Sequence, residues 1–121
     1  MKLQPDAASG PSITGYGAGW VSVNGEMFTH NLFVNAQSGS ALWQCPGFEA
    51  LQPEHFDPFI ALQPELIIFG SGERIRFPHP SCLQNLYAQR IGVETMDTQA
   101  ACRTFNFLAA EGRRVIAALL L

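Results

Sequence analysis

Met96-Asp97-Thr98-Gln99-Ala100-Ala101-Cys102-Arg103-Thr104-Phe105-Asn106-Phe107-Leu108, then Glu111-Gly112-Arg113-Arg114-Val115-Ile116-Ala117-Ala118-Leu119-Leu120-Leu121, is the stretch on which the fold turns. It reads as a capped helix, a glycine turn and a buried strand. Thr98 carries a short hydroxyl of the kind favoured at a helix N-cap, and Gln99 to Ala110 is expected as the helix behind it. Ala101, Phe105 and Leu108 fall at i, i+4 and i+7, so they share one apolar face. Gly112 ends the helix, and Arg113 to Leu121 is the expected strand. Its apolar run, from Val115, is far too short to cross a bilayer, which leaves a core strand.

Working back towards the amino terminus, Val93 to Met96 is a further strand. Pro80 opens a helix with Leu83, Leu86 and Tyr87 on its apolar stripe, and Gly92 is expected to close it. Leu66-Ile67-Ile68-Phe69 is apolar on both faces of a strand, so it belongs in the centre of a sheet covered on both sides. Strand, helix, strand, helix, strand is the order of an α/β sheet. The amino-terminal half differs. Ile13 to Tyr16, Trp20 to Val23, Glu26 to His30, Leu32 to Asn35 and Ala41 to Trp43 are short strands. Asn24-Gly25 between the second and third is a type I′ hairpin signal. Gly15-Tyr16-Gly17-Ala18-Gly19 precedes a strand and lacks a phosphate-loop lysine, so it is read as a bulge or tight corner. Pro53 suits the start of a helix running from Glu54 to about Leu62, which Pro58 should cut or kink. Residues 1–10 read as a loose tail and 11–121 as a single α/β domain.

Composition narrows the function classes. Of 121 residues, 47% are hydrophobic and only 14% charged, so an interface with a partner or a second copy is expected to cover some of the surface. A net charge of −3, with Lys2 the only lysine and six scattered arginines, leaves no basic footprint for nucleic acid. Cys45, Cys82 and Cys102 are odd in number and widely spaced, with no CxxC or HExxH pattern. Neither a disulfide framework nor a metal site is indicated, no cofactor is called for, and reduced thiols in the cytoplasm are expected. Met1 to Gly10 has one lysine and no apolar run, so it is not read as a signal peptide.

Two groups of residues have the chemistry of a ligand site. Gly70-Ser71-Gly72 follows the expected central strand, where α/β folds place ligands; Ser71 offers a hydroxyl and Arg74 and Arg76 offer charge. The competing reading is a tight turn that needs small residues. Arg103 and Asn106 lie three apart on one helical face. Arg103 either forms a buried ion pair with Asp97, Glu94 or Glu73 or anchors an anion, and Asn106 is expected to tie down a neighbouring loop's backbone. His79 and Cys82 bracket a helix start, the pattern that lowers a thiol pKa, but no third orienting group follows and Cys82 is read as a core residue.

Ile13-Thr14-Gly15-Tyr16-Gly17, Asn24-Gly25, Trp43, Leu66 to Gly72, Gly92-Val93-Glu94-Thr95-Met96 and the carboxy-terminal block together resemble a known family. It is the one named for mitochondrial complex I assembly factor three, domain of unknown function family 498. The resemblance runs from about Ser12 to the end. It implies a three-layer α/β fold, with a mixed central sheet whose final strand runs antiparallel, flanking helices and an amino-terminal β-hairpin element. The family often has threonine where this chain has Ser71, and tyrosine where it has Phe105. Its mitochondrial members help to build respiratory complex I. The reading is therefore a non-enzymatic binding or assembly module with a protein partner or self-association. The alternative is a small enzyme or sensor holding an anionic metabolite at Gly70, Ser71, Gly72, Arg103 and Asn106.

Overall fold

Two sheets organise the chain in its computed structural model, which describes residues 10–121. The tail expected over residues 1–10 lies outside the described residues apart from Gly10. The smaller sheet is an antiparallel meander of β1 (Ile13–Gly17), β2 (Trp20–Val23) and β3 (Glu26–Phe28). As expected, Asn24 and Gly25 both take positive φ in the turn between β2 and β3, at 50° and 88°. The register of β1 slips between Ile13 and Gly15, at Thr14, just before the glycine-rich segment where a bulge or corner was expected. A side chain at Gly17 would run into the indole of Trp20.

The larger sheet has the order β5-β4-β8-β6-β7. Its strands are β4 (Leu32–Asn35), β5 (Gly39–Leu42), β6 (Leu66–Gly70), β7 (Gly92–Met96) and β8 (Val115–Leu119). β8 is parallel to β6 and antiparallel to β4, so the expected antiparallel final strand is antiparallel on one side only. It lies in the middle of the sheet with every residue buried. The expected strand Ala41 to Trp43 is displaced: pairing runs over Gly39–Leu42, and Trp43 turns into the core. Its indole N–H donates to the His55 carbonyl.

Each face of the large sheet carries its own apolar layer. On one side Trp43, Phe56, Phe59 and Phe69 form an aromatic cluster, mostly edge-to-face with Trp43 and Phe59 tilted, at centroid separations of 5.6–6.3 Å. It is covered by α1 (Pro53–Phe56), a 3₁₀ segment (Asp57–Leu62) and α2 (Pro80–Ala88). Pro58 cuts the first helix, as its missing N–H requires. On the other side α3 (Thr98–Ala110) and the small sheet enclose Val21, Leu32, Ile68, Phe105 and Leu119. Burying such a side chain stabilises by about 1.5–3 kcal/mol.

Two helix ends differ from expectation. Asp97, not Thr98, caps α3: its carboxylate accepts from the Ala100 N–H at 2.9 Å. Thr98 is the first residue of the helix and its hydroxyl is used elsewhere. α2 is closed by Arg90 in a left-handed conformation (φ 63°), with Ile91 N donating to the Leu86 carbonyl. Gly92 instead begins β7, so the chain turns two residues before the glycine that was expected to end the helix.

Candidate functional site

The turn Gly70-Ser71-Gly72 sits at the carboxyl end of β6, against the start of α3. Ser71 is fully buried. Its hydroxyl donates to the Arg74 carbonyl at 2.8 Å, with the Met96 carbonyl 3.2 Å away, and accepts from the Arg76 N–H at 2.9 Å. Arg76 then folds back, its Nε and Nη2 donating to the Ser71 carbonyl at 3.2 and 2.7 Å. Its guanidinium lies over the Phe48 ring, 4.4 Å from the centroid. Gly72 has φ 107° and donates to Thr98 Oγ1 at 2.9 Å. A Cβ on Gly70 would lie 3.0 Å from atoms of Thr98 and Leu119, so any side chain there would press on the start of α3. The Ser71 hydroxyl, the Gly72 N–H and part of the Arg76 guanidinium are thus spent on the turn itself, while the Arg74 side chain stays exposed.

Arg103 and Asn106 project from α3 towards β1, and their hydrogen bonds go to β1, not to the turn. Arg103 is exposed and donates to the Tyr16 hydroxyl at 3.1 Å; this bond raises its pKa further. Among the described residues it forms none of the expected ion pairs with Asp97, Glu94 or Glu73. Asn106 holds the main chain of Ile13 at both ends, accepting from its N–H at 2.9 Å and donating to its carbonyl at 2.8 Å. It ties down backbone, as expected, but that of strand β1 and not of a loop. Ser71 and Arg103 therefore sit in separate networks.

The thiols are all buried, and none is paired. Cys82, at the helix start where a lowered pKa was conceivable, is instead pushed up by burial, and its thiol approaches the Leu51 carbonyl at 3.5 Å. Cys102 is pushed up to about 12 for the same reason. His79 is taken up at the helix start, where its Nδ1 accepts from the Ser81 N–H. No cluster among the described residues has the ligands for a metal ion.

Two of the open clefts among the described residues bear on function. One is a cleft of about 780 Å³ beyond the carboxyl ends of β6 and β8, bordered by Gly19, Phe48, Gly72, Arg74, Arg76 and Leu121. The other, about 380 Å³, runs between β7 and α2 and is lined by Phe77, Pro78, Pro80, Leu83, Tyr87, Val93, Glu94 and Thr95. Phe77 is 70% exposed and Tyr87 53%. Sequence reasoning missed this groove. Tyr87 is on the expected stripe of α2, yet only the strand order shows that β7 is an edge and that the end of the stripe is uncovered.

A family model for proteins of unknown function (DUF498/DUF598) matches residues 13–120. The chain belongs to this family. Human NADH dehydrogenase [ubiquinone] 1 alpha subcomplex assembly factor 3 is 32% identical over 98% of this chain and 65% of its own length. The mouse protein of that name is 39% identical, but this chain spans only 43% of it. An uncharacterised protein of Rhodobacter capsulatus is 32% identical over 97% of this chain and 90% of its own. Among solved structures, a Bordetella parapertussis protein superposes with a TM-score of 0.86 at 37% identity, covering 92% of this chain and 95% of that one. A Bordetella pertussis protein described as a Mth938-like domain gives 0.83 at 32% identity, covering 99% and 92%. The α/β architecture is therefore shared with these solved structures. Among the described residues, no helix is long and apolar enough to cross a membrane.

Proposed function

We propose that this domain is a non-enzymatic protein-binding module that serves the assembly of a respiratory NADH dehydrogenase in the cytoplasm. The observation that carries the reading is where the chain leaves chemistry unspent. The polar groups of the glycine turn are consumed by Thr98, Arg74 and Arg76, whereas large apolar side chains remain in water at Ile75, Phe77, Tyr87 and Phe107. An exposed apolar surface on a sparsely charged domain suits a partner protein better than a small anion. The names of the animal relatives supply the kind of assembly. The buried, unpaired thiols suit a reducing compartment.

The test is genetic and biochemical together. Deleting the gene in the native host is expected to lower the content of assembled NADH dehydrogenase. Cross-linked affinity capture of the tagged chain is expected to enrich subunits of that complex or proteins that mature them. Normal assembly in the deletion strain, with capture of nothing beyond the tagged chain, overturns the reading.

A further inference from the structure

We infer that the free edge of β7 accepts an extended segment of a different protein as an additional strand of the large sheet. The inference rests on the protein-binding reading above and names the surface and the kind of partner.

The edge is chemically open. Gly92 N donates to the Glu65 carbonyl at 3.3 Å and the Met96 carbonyl accepts from Ser71 N at 2.9 Å. Both residues therefore turn their main-chain groups towards β6. Successive residues of a strand present these groups to opposite sides, so those of Val93 and Thr95 point away from the sheet. No partner for them exists among the described residues.

Beside this row lies an apolar shelf made by Phe77, Pro80, Leu83 and Tyr87. An open strand edge flanked by a helix is the geometry by which peptides add to sheets: main-chain bonds give affinity, and alternate side chains enter the flanking groove. The register assigns the two faces. Val93 stands beside Ile67, which packs in the layer under α2, and Glu94 stands beside Ile68, which packs under α3. An added strand would thus lay one set of side chains on the shelf and the other set beside Glu94.

Glu94 decides who the occupant is. Two copies of β7 pairing antiparallel in the register that uses both open residues, Val93 of one opposite Thr95 of the other, would place Glu94 directly opposite Glu94. That position is the closer, non-hydrogen-bonded kind of pair, where like charges repel. Glu94 is exposed and has no ion pair among the described residues. The complementary occupant is another chain whose extended segment alternates apolar residues, facing α2, with lysine or arginine, facing Glu94.

The probe is a library of random decapeptides displayed on phage and selected on the immobilised full-length chain. Alternating apolar and basic residues are expected in the enriched peptides. Their amide-exchange footprint on the chain should fall on Val93 and Thr95. Glu94→Lys should weaken a selected basic peptide on the order of tenfold and favour acidic residues when the selection is repeated. Val93→Pro removes one edge-facing donor and should weaken every selected peptide by a similar factor. No enrichment, footprints elsewhere, or peptides that bind wild type and Glu94→Lys alike overturn the inference, as does a wild-type dimer joined through β7. If the cellular partner is still captured by Glu94→Lys and Val93→Pro, the edge is refuted while the assembly reading stands. If no partner is found in any assay, both fail.

Discussion

Thr98 and Gly72 are joined twice: the Gly72 N–H donates to Thr98 Oγ1 at 2.9 Å, and the Thr98 N–H donates to the Gly72 carbonyl at 2.9 Å. The same threonine hydroxyl donates to the Leu120 carbonyl at 2.7 Å. One side chain thereby fastens the end of β6, the start of α3 and the chain leaving β8. A threonine in the first turn is often read as a cap. Here Asp97 does that work, which frees the hydroxyl to cross-link three elements.

Thr98→Val keeps the shape and removes the hydroxyl, leaving the Gly72 N–H and the Leu120 carbonyl short of a partner in a buried place. It should cost about 1–3 kcal/mol, whereas Asp97→Ala should cost about 1 kcal/mol through loss of the cap. Urea melts of the two variants check the order. Asp97→Ala costing more than Thr98→Val would contradict the assignment.

Asn106→Leu should release β1 from α3. Each of its two bonds to Ile13 is worth about 0.5–1.5 kcal/mol, and the Ile13 groups lose their partners as well. Amide exchange should therefore quicken across β1 to β3 more than in β6 or β8. Uniform quickening over both sheets would show that the small sheet does not open separately.

Arg103→Met should change stability by no more than about 0.5 kcal/mol, because Arg103 is exposed and makes a hydrogen bond to Tyr16 in place of an ion pair. A large fall in melting temperature would mean that Arg103 carries a structural load these contacts do not include.

Alkaline pH should destabilise the fold through its thiols. Burial holds Cys102 protonated up to about 12 and pushes Cys45 and Cys82 up as well, while an unfolded thiol ionises near about 8.5. Above that value the unfolded chain binds fewer protons than the folded one, so stability falls as pH rises. The loss from Cys102 is up to about 1.4 kcal/mol per pH unit until its folded pKa is reached. Unfolding free energies at pH 8 and pH 10 measure the slope, and Cys102→Ala should flatten it. An unchanged slope in that variant would remove Cys102 from the account.

Local signals in the sequence determined most of the elements and the fold class. Leu66–Phe69 and Val115–Leu121 are apolar on both faces, Asn24-Gly25 supplies positive φ, Pro58 lacks an N–H, and Ala101 and Phe105 keep helical spacing; each acts through its near neighbours in the chain. The resemblance carried by the same stretches extends over the whole domain. Tertiary structure decided which partner each polar group meets. Arg103 meets Tyr16 across 87 positions and Asn106 meets Ile13 across 93, distances over which no periodicity pairs one residue with another. Thr98 has the composition of a cap and the role of a cross-link, because its hydroxyl faces whichever strands the sheet order brings beside it. The β7 edge follows the same rule: Val93, Thr95, Phe77 and Tyr87 are ordinary strand, loop and helix residues until β6 and β8 occupy the centre and leave β7 outermost. Secondary structure is set by short-range backbone preference and burial. A surface able to take another chain is set by which strand is left without a neighbour.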